Sequence, residues 1–493
     1  MKSVASVPFS SAALLEVAVH TNLSLDLGEA AVSIVCTLRA AAETPAAVVT
    51  EITFEGLPAV EVGDPITLFP GETVLVQSLT LPRVRLWQPA VRGSQPLYAA
   101  RVALVDPEGL LLDRHEFRFG VRDVAWSDAE GLRVNGSIVP VRAWRWPESP
   151  AGADCTRRRV QLALAAGVTL LLVPPPAVED DAIYATCDSL GLLVAQELGG
   201  TGADPEEEVE QALRRRRNHP SLALWVADPA PAPAGSAGAD VVGLLQLEDP
   251  QRPYLMWPPV GTVVASQPDG GDPVTATRSF QCAVETARSS CPSLLFGGDL
   301  VGSDRRSAGV LLDGAGTPAA AGSAARRAHR PFWVSAVGLD TDWAAATAFQ
   351  AEIRLHNDGA ARSLLNVVAT VTDASGREMY QENLAAEAPA HTTELAGDLY
   401  WRFPPGFSGW FFLFLEVVDE EGEAPARNAY SLCRGAAPAP APSRLVLEPN
   451  ARGWTVRNAG DAVAAGGCVE LSDFPGREWP APLRPGEALS PAS

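Results

Sequence analysis

No run of about 18 or more apolar residues occurs anywhere in this 493-residue chain, so the sequence predicts no transmembrane helix. The N-terminus, Met1-Lys2-Ser3-Val4, leads into no apolar stretch with a cleavage site, because Pro8, Ser10 and Ser11 interrupt it and Glu16 ends it. Both absences predict a soluble, cytoplasmic protein. Positive charge is also scarce. Against 59 Asp and Glu stand 38 Lys and Arg, for a net charge of −21. That excludes nucleic acid and anionic membrane as expected partners, since both need local positive potential, and it suits a neutral ligand such as a sugar. The one basic run, Arg214 to Arg217, reads as the solvated end of a helix. Cysteine is sparse as well: Cys36, Cys155, Cys187, Cys282, Cys291, Cys433 and Cys468 are odd in number, widely spaced and form no C-x-x-C. The pattern predicts reduced, mostly buried thiols, no disulfide framework and no metal site. Nothing implies a cofactor, and nothing in the sequence speaks to the oligomeric state.

Hydrophobic residues make up 47% of the chain and charged residues 20%, the balance of a globular protein with a sizeable core. At about 100–200 residues per domain, three or four domains are expected. In the first 122 residues Val32, Ile34, Cys36 and Leu38 alternate with small or polar residues, the period of a half-buried strand. Leu75 to Thr80 is a second such run, and Asp106-Pro107-Glu108-Gly109 is a hairpin turn. These signals predict an immunoglobulin-like β-sandwich over residues 1–122.

From 123 to 330 the character changes. Helical patterns at 157–166, 182–190 and 206–217 alternate with the apolar runs 168–173, 192–194 and 222–226, and the first two helices close at Gly167 and Gly191. This alternation implies a parallel sheet with helices outside it. From 331 to 435 the period of two returns, through Phe349, Ala351, Ile353 and Leu355, and predicts a second sandwich. The apolar run Trp410 to Leu415 reads as buried on both faces, and Asp373-Ala374-Ser375-Gly376 as a turn. Residues 436–493 read as an Ala/Pro linker and a small β unit.

Several short motifs in shared order then point to one family. Leu86-Trp87-Gln88-Pro89, Gln95-Pro96-Leu97-Tyr98, Phe119-Gly120-Val121-Arg122, Val134-Asn135-Gly136, Val141 to Trp146, Leu190 to Val194, Asn218-His219-Pro220 with Leu222 to Trp225, and Glu248 to Tyr254 together resemble the β-mannosidase branch of glycoside hydrolase family 2. The resemblance implies a multidomain β and α/β protein, with immunoglobulin-like sandwiches flanking a (β/α)8 TIM barrel. It also implies a retaining mechanism with two Glu side chains, one as acid/base and one as nucleophile.

The departures matter as much. The chain opens inside the family's second domain, without a counterpart of its N-terminal sugar-binding sandwich. The acid/base Glu, preceded by Asn, is replaced by Pro229-Ala230. An Arg expected after Gly167 is Leu172, and an Asn-Trp near the barrel entry is Arg145-Trp146. No Ser-Glu-Phe-Gly-like nucleophile context occurs between Tyr254 and Pro318, where Glu285 is the only Glu and reads as helical. The span from Asn135 to Arg330 is under 200 residues, whereas a barrel takes about 250. The expectation is a degenerate, incomplete barrel that has lost the nucleophile's strand, hence a pseudoenzyme with no catalytic residue.

Five residues remain as a candidate ligand cleft, since each falls at or near the expected C-terminal end of a barrel strand. Trp144, Trp146 and Trp225 could stack on sugar rings, although Trp225 reads equally well as core. Glu197 could bind a sugar hydroxyl or be a solvated loop carboxylate. Asp228 could substitute as an acid but sits before Pro229 as a turn residue would. His219 reads as a structural histidine. Three functions are open: a carbohydrate- or protein-binding pseudoenzyme, a residual hydrolase of β-mannosides or related β-glycosides, and a structural protein without a sugar ligand.

Overall fold

The computed structural model describes residues 12–128, 130–147, 152–175, 181–199, 205–227, 241–256, 263–264, 273–290, 294–300, 312, 325–339, 343–435, 437, 445–450, 453–464 and 483–489. The chain forms two units, one built from residues 1–139, 147–164 and 169–260, the other from 140–146, 165–168 and 261–493. The fold is mostly β-strand. Among the described residues no helix is long and apolar enough to cross a membrane.

The first unit opens with two antiparallel sheets. One pairs Ala12–Leu23, Glu29–Ala40 and Gly71–Pro82; the other has the order Leu57–Leu68, Thr44–Phe54, Tyr98–Val105, Leu111–Phe119. The alternation in the second strand has its expected result: Val32, Ile34, Cys36 and Leu38 are buried, and with Val48, Ile52, Val102 and Leu104 they form the core. In strand Gly71–Pro82 the inward set is Gln77, Leu79 and Leu81, while Val74 and Val76 face outward. A buried Gln must be satisfied. Thr50 Oγ1 donates to its Oε1 at 2.5 Å, and its Nε2 donates to Val48 O and Asp64 Oδ2, both at 2.9 Å. The turn at Asp106 forms as predicted. Its Oδ1 accepts the Glu108 and Leu110 N–H groups, with Gly109 at φ 84°.

Four parallel strands follow in the same unit: Leu170–Val173, Leu193–Leu198, Leu222–Ala227 and Tyr254–Met256, in chain order across the sheet. Helices Asp181–Leu190, Pro205–Arg216 and Val241–Glu248 connect them. The middle strands are buried on both faces except at Glu197, as sheets covered by helices require. The second of these strands is entered through Gly191 at φ 77°. A Cβ there would also stand 2.6 Å from Ala90 N, whose N–H donates to Gly191 O at 2.8 Å, so both conformation and contact require glycine.

The second unit holds three more parallel strands, Val141–Arg145 beside Leu294–Asp299 beside Val263–Val264, and helix Pro273–Ser290. The described residues thus supply strand–helix alternation but do not display a closed eight-stranded barrel. A second sandwich pairs Phe332–Val337, Ala348–Asn357 and Thr392–Arg402 in one sheet. The other has the order Glu378–Ala388, Arg362–Asp373, Gly409–Val418, Ala426–Arg434. Phe411 to Leu415 is buried on both faces as the run predicts, while Trp410 at its start is only half-buried. Trp343, Phe349, Trp401, Phe403, Phe407 and Phe411 pack mostly edge to face, with centroids 5.1 to 6.1 Å apart. A three-stranded sheet of Leu445–Asn450, Gly453–Asn458 and Ala488–Leu489 completes the described chain.

Candidate functional site

In the first unit Glu197 and Trp225 lie on neighbouring strands, but the register separates them. Gln196 pairs with Trp225, and Glu197 with Val226, so Glu197 points to the face opposite Trp225. The Tyr184 hydroxyl, on helix Asp181–Leu190, donates to Gln196 Oε1. Gln196 and Trp225 therefore share the helix-covered face. Trp225 is wholly buried, its Nε1–H donates to Asp249 Oδ2 at 2.8 Å, and the Arg252 guanidinium lies 6.0 Å from its ring centre. Of its two readings, Trp225 takes the core one. A ring enclosed by protein cannot stack on a sugar.

Trp144 and Trp146 belong to the second unit, where they are 0% and 3% exposed. Trp144, next to last in strand Val141–Arg145, lies edge-on to His329, with centroids 6.3 Å apart. Burial leaves neither ring a free face, which corrects the expectation that they stack on sugar. Asp228 and Ala230 lie outside the described residues.

Among the expected residues that the structure describes, Glu197 lines a cavity. It closes the C-terminal end of strand Leu193–Leu198 and opens on a space of about 810 Å³ within the first unit. Helix Pro205–Arg216 contributes Glu208, Gln211 and Arg214, and the sandwich contributes Glu16, Arg39 and Glu72. Several of the lining charges are paired, some with one another and some with Glu248 and Arg217 beside the cavity. Arg39 meets Glu72 at 2.5 Å across the ladder. Arg214 reaches Glu248 at 3.0 Å and Glu16 at 3.4 Å, and Arg217 holds Glu248 at 2.7 Å and also bonds Glu16. Burial raises the Glu16 carboxyl above its ordinary range, against the lowering pull of Arg217 and Arg214. A lining of paired charges and amides offers hydrogen bonds without a dominant sign, as a neutral polar ligand requires.

The same cluster corrects half of the expectation that Arg214 to Arg217 is solvated: Arg214 and Arg215 are exposed, but Arg216 and Arg217 are not. Arg216 is 2% exposed with its guanidinium 5.2 Å from the Tyr184 ring centre, and the Arg217 side chain is 10% exposed between its two carboxylates. A run of four spans a full helical turn, so some members must face inward. Acidic partners far away in sequence make that tolerable.

The adjacent Asn218-His219-Pro220 is structural. Asn218 Oδ1 accepts the Val19 N–H at 3.0 Å and its Nδ2 donates to Val17 O at 2.8 Å, so its amide completes the free edge of strand Ala12–Leu23. His219 Nδ1 lies 2.6 Å from Asp188 Oδ2, and Asp188 Oδ1 accepts the Ser221 N–H at 2.9 Å. Spacing alone gave no signal of the Asn218 clamp, which spans about 200 residues.

Glu285, in the second unit, lies on helix Pro273–Ser290 as predicted and is completely buried. Oε2 accepts the Tyr430 hydroxyl at 2.6 Å. Oε1 accepts Trp333 Nε1 at 2.9 Å, Asn428 Nδ2 at 2.8 Å and Gln281 Nε2 at 3.2 Å. Burial raises its pKa, and the donors from Tyr430, Trp333 and Asn428 pull it back. Enclosed by donors and without access, this carboxylate cannot reach an anomeric carbon.

Known proteins fit this architecture. The model of Glycosyl hydrolases family 2 matches residues 12–122. Beta-mannosidase B of Emericella nidulans is 29% identical over 168 residues, 29% of this chain and 19% of that protein. The match thus spans well under two thirds of the relative's length. By structure, the exo-chitosanase of Amycolatopsis orientalis aligns with a TM-score of 0.72 at 15% identity, covering 97% of this chain and 75% of that one. A beta-D-mannosidase from Dictyoglomus thermophilum aligns at 0.66 and 17%, covering 92% and 70%. The chain therefore resembles the glycosyl hydrolases of family 2, by sequence over residues 12–122 and by fold over nearly its whole length.

Proposed function

We propose that this chain is a family 2-like scaffold that has lost glycoside hydrolysis and binds a carbohydrate in the cavity lined by Glu197. The observation that carries the loss is the environment of Glu285. It is the only Glu between Tyr254 and Pro318, and it is buried among protein donors. With Ala230 at the acid/base position, neither half of the two-carboxylate mechanism has a residue to perform it. Residues 123–330 are, in this reading, a shortened (β/α)8 barrel between sandwiches at 1–122 and 331–435, with a linker and small β unit after 436. The volume and paired charges of the cavity support a neutral, hydroxyl-rich ligand.

The test is hydrolysis of activated aryl β-mannosides, β-glucosides and β-galactosides by the purified chain and its Ala230→Glu variant. No turnover is expected from either, because an acid without a nucleophile forms no glycosyl-enzyme. Wild-type turnover that disappears in Glu197→Gln would instead establish a residual hydrolase, the reading favoured by a carboxylate at a strand's C-terminal end. A sugar titration followed by calorimetry separates binding from a purely structural role. Heat that is lost in Glu197→Gln supports binding, and no heat for any sugar leaves the structural role.

A further inference from the structure

Strand Val141–Arg145, helix Pro273–Ser290 and the second sandwich meet, within the second unit, around two buried histidines. His356, on strand Ala348–Asn357, has Ser335 Oγ 2.7 Å from its Nε2 and Thr393 Oγ1 3.0 Å from its Nδ1. His329 Nδ1 lies 3.1 Å from Ala166 O and so carries the ring proton. Its Nε2 is then a bare acceptor, buried and without a protein partner. Guanidinium groups surround both rings. Arg142 and Arg288, both fully buried, act on each histidine, and Arg354 acts on His356 from its own strand. The nearby carboxylates are already matched. Asp358 accepts Arg142 Nη2 at 3.1 Å and Arg288 Nη2 at 3.0 Å. Glu285 acts on Arg327 and Arg288, and Glu352 holds Arg354 at 2.6 Å.

We infer that this junction is an acid-sensitive joint, closed around neutral His329 and His356 and opened when they take protons beside Arg142 and Arg288. A buried imidazolium needs an acceptor for its second N–H and a counter-charge. A proton added at His329 Nε2 finds no acceptor, and two guanidinium groups repel its charge. At His356 the hydroxyls of Ser335 and Thr393 can turn to accept, but three guanidinium groups remain. Opening the joint brings both rings to water, so proton uptake drives the opening. Burial holds both imidazoles below their ordinary range, His329 at about 3. Their contribution is therefore fully present above about pH 6.5, the unfolded value, and is lost as the pH falls toward the folded one. Glu285, on the same helix, works in the opposite direction, since its raised pKa favours the closed form in acid. The joint is independent of the carbohydrate reading above and stands or falls separately from it.

The experiment labels the full chain with a dipyridyl disulfide, which reacts with thiols in mild acid, and reads each cysteine by peptide mass spectrometry. Cys282, buried on helix Pro273–Ser290, reports the joint. Cys36 and Cys187, buried in the first unit, report the rest of the molecule, and the exposed Cys155 sets the reference rate. Between about pH 6.5 and about pH 4.5 the Cys282 rate relative to Cys155 should climb in the wild type. The climb should exceed that of His329→Gln on the order of tenfold to a hundredfold, because each pH unit below the unfolded value is worth about a factor of ten. Taking the variant as baseline cancels the other titrations, Glu285 included. If His329→Gln does not fold, His356→Gln decides by the same comparison, since its amide can still bridge Ser335 and Thr393. A Cys282 rate that does not climb in acid, a climb that neither variant reduces, or Cys36 and Cys187 opening in step with Cys282 overturns the proposal.

Discussion

The two units of this molecule each bury carboxylates, and they satisfy them in opposite ways. In the second unit Glu285 is wholly enclosed and mostly neutral donors, Tyr430, Trp333, Asn428 and Gln281, surround it. In the first, Glu16 and Glu248 are held by the guanidinium groups of Arg214 and Arg217 near the surface. Neutral donors satisfy lone pairs and Arg327 adds only part of a counter-charge, so burial still pushes the Glu285 carboxyl toward its protonated form. Arginines offset part of the charge, although burial still raises the Glu16 carboxyl, and they demand that four long side chains be ordered. The first arrangement builds a rigid core joint between a helix and a sandwich strand. The second builds a charged wall that borders a cavity and still balances its own charge.

The comparison breaks most severely at Glu285→Ala. Four donors lose an acceptor, Trp333 Nε1 and the Tyr430 hydroxyl most severely, and a cavity is left, for a loss of about 4 kcal/mol, read as a lowered denaturant midpoint for the transition that reports the second unit's tryptophans. An unchanged midpoint would mean the network carries no stability. Arg217→Ala should cost about 2–3 kcal/mol in the first unit, because two carboxylates lose a nearly buried partner. A loss larger than that of Glu285→Ala would reverse the ranking. Asn218→Ala removes two hydrogen bonds from an edge strand and should cost about 1–2 kcal/mol. Amide exchange at Val19 should rise with it. Arg39→Ala opens a pair whose side chains are 60% and 53% exposed and should change stability by less than about 1 kcal/mol.

Acidity sharpens the same contrast. The Glu285 pKa is raised on folding, so between its unfolded and folded values the native state holds the extra proton. Its contribution is therefore fully present below about pH 4.5, the unfolded value, and is lost as the pH climbs through the folded one. Relative to Glu285→Gln, whose amide does not titrate, wild-type stability should decline as the pH rises through that window. A parallel pair of pH curves would contradict the raised pKa.

Much of the fold could be read in advance because it depends on local chemistry. Asp106, Asp373 and Asp419 each accept N–H groups from the next few residues with a glycine at positive φ following, at Gly109, Gly376 and Gly422. Such turns need no distant partner. The alternation of Val32 to Leu38 and the unbroken run Phe411 to Leu415 state how many faces are buried. The site was far less legible. Trp144, Trp146 and Trp225 fall near strand ends where a sugar platform belongs, yet all three are core.

By itself, then, the sequence determined where many of the strands, helices and turns lie and which family's order of motifs the chain resembles. A period of 2 or 3.6 residues groups side chains onto a common face, but nothing in it says what that face meets. Only the tertiary structure decided that Trp225 turns toward Asp249 and Glu197 away from it, that Arg216 and Arg217 turn inward, and that Glu285 is sealed by Tyr430. The partners that decide these fates lie from tens to about 200 residues away in sequence. The energies at stake, desolvation against pairing, are properties of the assembled neighbours and not of the residue that carries the charge.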